Sequence, residues 1–182
     1  MIKKQEIIDS IAFYLSEYPD NMFGLKTLKF VEKTDLFWSR QNLEGHLTAS
    51  SWVVNDDYTK VILCHHGKLN IWVQLGGHID ETDNSLQEAC RRELEEESGL
   101  TELELLSPNI YDIDIHHIPA NKGVPEHLHY DLRLIFKANS QEMINFDIAE
   151  SKDVRWIRRN EIIKFSQERA VLRMVEKMEF IK

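Results

Sequence analysis

Glu93 and Glu97 stand four residues apart in a segment, 85–98, that otherwise spaces its apolar residues for a helix. At roughly 100° per residue, Leu86, Ala89, Cys90 and Leu94 form the inward stripe, and both glutamates fall within about 20° of Leu86. Glu96 lies on one flank of that stripe and Glu95 points to water. Carboxylates at i,i+4 repel each other. They also crowd the C-terminal half of the helix, where the macrodipole disfavours negative charge. A solvated acidic face accounts for Glu88 and Glu95 but poorly for Glu93 and Glu97. A cation held between the pair removes the conflict, and hard oxygen ligands point to Mg²⁺ or Mn²⁺ rather than a structural zinc ion.

The flanks of this segment are punctuated to hold it. Ser85-Leu86-Gln87-Glu88 reads as a capping box. Gly99-Leu100 reads as a left-handed stop with its hydrophobic contact. Upstream, Gly76-Gly77 ends a strand and leads through an acidic loop. Residues 80–97 carry eight acids against two bases, so net −6 of the chain's −9 falls in one stretch.

Gly77, followed by Arg92-Glu93-Leu94-Glu95-Glu96-Glu97-Ser98-Gly99-Leu100, closely resembles the Nudix box, G-x5-E-x7-R-E-U-x-E-E-x-G-U, with U a bulky aliphatic residue. The half from Arg92 to Leu100 matches at every fixed position. The upstream half is one residue longer than the pattern, so either Asp83 or Asn84 stands at the first Glu position. Leu75 precedes the glycines where many members have Pro. The resemblance spans about 46–165 and leaves 1–45 unexplained.

The resemblance implies an α/β fold of the Nudix type: an α/β/α sandwich with a mixed sheet, here behind an N-terminal helical extension. Residues 1–45 would be the extension and 46–182 the hydrolase domain. Glu93, Glu96 and Glu97 would hold Mg²⁺, with the Gly77 carbonyl a further ligand, and Arg92 would pair with a neighbouring Glu and orient it. The reaction implied is water attack on phosphorus in a nucleoside diphosphate linked to another group. Such a substrate is densely anionic and needs metal ions to neutralise its oxygens and acidify the water. Glu93, Glu126 and Glu150 are all candidates for the general base. Glu150 precedes Asp153-Val154-Arg155-Trp156, which is similar to the family's late acidic loop and strand.

Seven of the 8 histidines lie between 65 and 129. Along 127–133, His127, His129, Asp131 and Arg133 share one face by period 2, opposite Leu128, Tyr130, Leu132 and Leu134. Along 111–117, Asp112, Asp114 and His116 oppose Tyr111, Ile113 and Ile115. These polar faces fit a site wall, with His127, His129 and Arg133 as substrate ligands. They fit equally the solvated face of an antiparallel sheet, and Arg133 is as well suited to Asp131 as to a phosphate. Two rival functions remain open. One is a Nudix-fold module that binds a nucleotide without turnover, against which stand the intact Arg92, Glu93, Glu96 and Glu97. The other is a zinc hydrolase, because His127-Leu128-His129-Tyr130-Asp131 spells H-x-H-x-D, although Leu132 stands where a further His would complete the motif.

Helices are expected over 3–18, 23–33, 85–98 and from about 160. Strands are expected over 46–54, 60–65, 71–75, 109–117, 127–137 and 153–157. Trp72, Tyr111, Phe37 and Trp38 are candidates to stack on a base, with the core as their other destination. The N-terminal helices have three roles open: capping the site, forming a homodimer, or burying the sheet edge. With 22 basic against 31 acidic residues, the chain is not expected to grip duplex nucleic acid or an anionic membrane. Two cysteines make no disulfide framework, no window is long and apolar enough for a membrane span, and no signal peptide is read at the start. The expected location is the cytoplasm.

Overall fold

The computed structural model describes residues 1–121 and 123–181. Its elements are α1 (Lys4–Glu17), α2 (Met22–Lys33), β1 (Gly45–Val54), β2 (Lys60–His66), β3 (Trp72–Val73), β4 (Leu75–His78), α3 (Leu86–Ser98), β5 (Leu103–Leu105), β6 (Asp112–Ile118), β7 (His127–Ala138), β8 (Ser151–Arg158), α4 (Ile162–Phe165) and α5 (Arg169–Lys177), with single 3₁₀ turns at Arg159–Glu161 and Met178–Phe180. The expected α/β class holds. The sheet runs β3-β2-β1-β7-β5, with β4 on β1, β6 on β7 and β8 on β2.

Every residue of β1 is buried. That explains a run in which Leu47, Ala49 and Val53 alternate with Thr48 and Ser50, because a strand paired on both edges and covered on both faces has no wet side. The run expected at 71–75 breaks at Gln74 into β3 and β4, and Gly76-Gly77 lie within β4 rather than after a strand.

The chain forms two compact units. The first comprises Met1–Ala49, Gly77–Cys90 and Ser107–Leu134. In it α1 packs on α2 through buried Ile7, Ile11, Tyr14 and Val31, and Phe30 stacks on Tyr130 with ring centroids 4.1 Å apart. Phe37 is core here, 3% exposed, so its base-stacking role falls away. The second comprises Ser50–Gly76, Arg91–Leu106 and the residues from Ile135. Its centre is the antiparallel pair β2 and β8, aligned from Lys60↔Arg158 to His66↔Ser151 with a register shift at His65/His66. Leu63, Leu75, Leu94, Leu100, Phe136 and Met174 fill its core.

Candidate active site

The helix signals act as local chemistry requires. Ser85 Oγ accepts from the Glu88 N–H at 3.1 Å. The reciprocal contact is displaced by one residue, since Glu88 Oε2 accepts from the backbone N–H of Asn84 at 2.9 Å. At the other end Gly99 takes φ +70°, and Leu100 is fully buried.

Leu94 and Leu100 carry the stripe into the second unit, and Glu97 follows it inward. Its Oε2 accepts the Gly76 N–H at 2.7 Å. Gly76 sits at φ +149°, a backbone conformation that a side chain would oppose, and there its N–H meets the carboxylate. Burial pushes the Glu97 carboxyl up to about 7; the Gly76 hydrogen bond pulls it down, and Glu93, Glu150 and Glu96 push it up. Arg92 Nη1 lies 2.9 Å from Glu93 Oε1 and 3.1 Å from Glu96 Oε2, so one guanidinium nitrogen serves two of the expected metal ligands. The three carboxylates are divided between the Arg92 guanidinium and the Gly76 N–H. Among the described residues, the set that brings three ligand atoms within 4.8 Å of one another is instead His46, His127 and His129.

Asp83 answers the ambiguity upstream. It is 4% exposed and accepts the Asp80 N–H at 2.8 Å, which folds the acidic loop. Asn84 is exposed, and its Oδ1 accepts from the Met1 ammonium at 3.1 Å. Of the two, Asp83 is the one buried within the acidic loop and bonded to its backbone.

Glu150 is exposed, but its charge reaches both Glu97 and Cys64. Its own carbonyl oxygen accepts the Gly67 N–H at 3.0 Å, fixing the chain beside the end of β2, and a Cβ on residue 67 would stand 2.5 Å from that oxygen. Glu126 is held differently, with Oε2 3.1 Å from His117 Nε2 in the first unit. Trp72 has company at its ring: His65 stacks at 5.0 Å and the Arg155 guanidinium stands 5.6 Å away. Tyr111 and Trp38 are half-buried. Cys64 and Cys90 are both buried thiols. Burial raises the Cys64 thiol to about 11.

The polar face of β6 and β7 is dry around Asp112, Asp114, Asp131 and Arg133, while His116 and His127 on it are half-exposed. Register pairs Asp112 with Arg133, Asp114 with Asp131 and His116 with His129, and Asp112, Asp131 and Arg133 are each at most 2% exposed. Arg133 Nε meets Asp131 Oδ2 at 2.7 Å, Nη1 meets Asp112 at 3.1 Å and Nη2 meets Asp114 at 3.5 Å. Desolvation opposes its charge, but Asp131, Asp112 and Asp114 outweigh that and hold it above the ordinary guanidinium value. All three nitrogens are committed, so Arg133 is a structural cation and not the phosphate ligand expected of it. Thr48 Oγ1 donates to the other oxygen of Asp131 at 2.9 Å. The H-x-H-x-D zinc set therefore does not assemble, because its Asp is spent on Thr48 and Arg133.

His46, missed as a site residue, lies among His78, His127 and His129. Burial lowers His46 to about 4, with His127 and Arg40 adding, while the nearby Asn42 carbonyl pulls the other way without reaching hydrogen-bond geometry. Burial likewise lowers His78 to about 4, and His129, ringed by the others, to about 2.

The raised Glu97 carboxyl has a measurable consequence. Between its ordinary value near 4.5 and about 7, the unfolded chain is ionised there while the folded chain keeps the proton. Stability from this group is therefore present below about 4.5 and falls as pH rises through that window, by up to about 3 kcal/mol. Urea unfolding of chelator-treated protein across pH 4.5–7.5 is expected to show wild type losing that amount relative to Glu97→Gln. Parallel curves for the two proteins would refute the burial argument.

A family model described as NUDIX domain matches residues 45–176. Among solved structures, a Caenorhabditis elegans Ap4A hydrolase in binary complex is similar at 17% identity and TM-score 0.58, covering 74% of this chain and 95% of that one. A NUDIX-family hydrolase from Clostridium perfringens gives 24% and 0.52, covering 75% and 98%. The NUDIX domain of Shewanella oneidensis NrtR, complexed with ADP ribose, gives 21% and 0.51, covering 74% and 86%. No curated protein matches. The structural likenesses establish the fold, and the domain match over well more than half the length establishes the family: this chain belongs to the Nudix family.

Proposed function

We propose that the chain cleaves the diphosphate linkage of a nucleoside diphosphate joined to another group, with Mg²⁺ and by water attack on phosphorus. The observation that carries this reading is Glu97. Its carboxylate turns inward onto the Gly76 N–H at 2.7 Å, while Glu93 and Glu96 on the same helix share one Arg92 nitrogen, so three acids converge on a single base. The donor chemistry suits a hard divalent ion, all oxygen and no sulfur: Glu93, Glu96 and Glu97 would hold it, with the Gly77 carbonyl following Gly76 on β4. When bound, Mg²⁺ supplies charge neutralisation on the phosphate oxygens and a more acidic water. Arg92 gathers Glu93 and Glu96 onto one guanidinium nitrogen and orients them. Glu150 and Glu93 are the carboxylates available as general base. Glu126, engaged by His117, is a weaker choice.

The nucleotide derivatives named for the neighbours, Ap4A and ADP ribose, head the substrate list. We read the protein as cytoplasmic. Among the described residues no helix is long and apolar enough to cross a membrane. The boundary near residue 45 and a homodimer through the N-terminal helices belong to the same reading. A panel of ADP-ribose, dinucleoside polyphosphates, nucleotide sugars, CoA and (d)NTPs tests it. Mg²⁺-dependent release of two phosphorylated products from at least one member is expected. Tight binding of a nucleotide without turnover would favour the non-catalytic module.

A further inference from the structure

Five histidines meet in the first unit. The ring of His46 lies 5.1 Å from His78, 5.1 Å from His127 and 4.7 Å from His129. The ring of His129 also lies 5.2 Å from His78 and 5.3 Å from His116. Ring packing alone would explain such contacts, but it does not explain the nitrogens. His46 is 2% exposed and neither of its ring nitrogens makes a hydrogen bond; His129 Nε2 is buried in the same condition. Buried polar atoms almost always find a partner, and a site that needed only a flat ring would be better served by Phe.

We propose that His46, His127 and His129 bind one divalent ion of the zinc class, at a site different in chemistry from the carboxylates of α3. Each of the three brings one ligand atom to within 4.8 Å of the other two. Tetrahedral zinc with bonds of about 2.0–2.1 Å places its ligand nitrogens about 3.4 Å apart. Side-chain rotations closing each separation by about 1.4 Å at most suffice, with the strands left in place.

The surroundings supply what such ligands need. His127 Nδ1 lies 2.9 Å from the Pro125 carbonyl oxygen, which only accepts, so Nδ1 carries the hydrogen and Nε2 is left with a lone pair. That is the outer partner by which metal-bound histidines are fixed in tautomer and orientation. His127 is half-buried and gives an entry path. His78 or water would take the fourth position. Neutral imidazoles select borderline ions over Mg²⁺, so the two sites sort metals by ligand chemistry. The ion would also tie the start of β1 to the start of β7, where the Leu128 N–H already donates to the Glu44 carbonyl at 3.3 Å.

The test uses the full chain, stripped with a chelator and dialysed against Zn²⁺ with millimolar Mg²⁺ present. Wild type and Glu97→Gln are expected to retain one equivalent of zinc, and His129→Ala and His127→Gln to bind at least 100-fold more weakly. Zinc should raise the Tm of wild type and not of the His variants. Co²⁺ in place of zinc should give a tetrahedral ligand-field spectrum in wild type only. His127→Gln, at the partly exposed ligand, guards against misreading a folding defect in His129→Ala. Absence of stoichiometric zinc in wild type, equal binding by wild type and both His variants, or loss of binding in Glu97→Gln would each overturn the proposal.

Discussion

Glu97→Gln is expected to lower turnover by about 10³-fold on whichever diphosphate the panel identifies, and to shift the Mg²⁺ dependence to higher concentration. The amide keeps the volume, and its oxygen still accepts from the Gly76 N–H, so the fold has little reason to change. What disappears is the charge that burial makes costly without a cation. Glu95→Gln is the matched control, because Glu95 is exposed and its partner is Arg91 at 3.6 Å; it should leave turnover unchanged. Steady-state rates against Mg²⁺ for the three proteins decide the matter. Equal rates for wild type and Glu97→Gln would remove the proposed mechanism.

Arg133→Met carries the largest expected loss of stability, about 3–5 kcal/mol, because it leaves Asp112, Asp114 and Asp131 buried without their cation. That is a sizeable fraction of the roughly 5–15 kcal/mol that holds an ordinary domain together. Removing the acids along with the arginine should restore much of the loss, since a buried ion network replaced as a whole is often neutral. Denaturant unfolding of wild type, Arg133→Met and the quadruple variant with all three Asp→Asn changes measures both expectations. A stable single variant would mean that the network is wet.

These two residues show what one-dimensional reading reaches. Glu97 was legible because everything that turns it inward is local: a serine that starts the helix, a glycine that stops it, and the periodicity between them. Arg133 was half legible. Period 2 groups it with His127, His129 and Asp131, but a wet face and a buried, neutralised face have the same alternation. Only the antiparallel register that sets Asp112 opposite Arg133 separates them. His46 was invisible as a site residue. It opens a strand far from the other histidines in sequence, and only the sheet brings it to them. Strand β5 escaped notice for a similar reason: three residues carry almost no pattern, and their pairing with Phe136–Ala138 is remote.

The contact between Gly67 and Glu150 means that the chain writes the location of one acid in the vocabulary of another position. Because the carbonyl of Glu150 rests where a side chain on residue 67 would have to go, any bulk introduced there displaces the backbone that carries the acid. Reach, rather than charge, would then be what changes. A change in the position of that carboxylate would then reside in a residue that contributes no functional group at all.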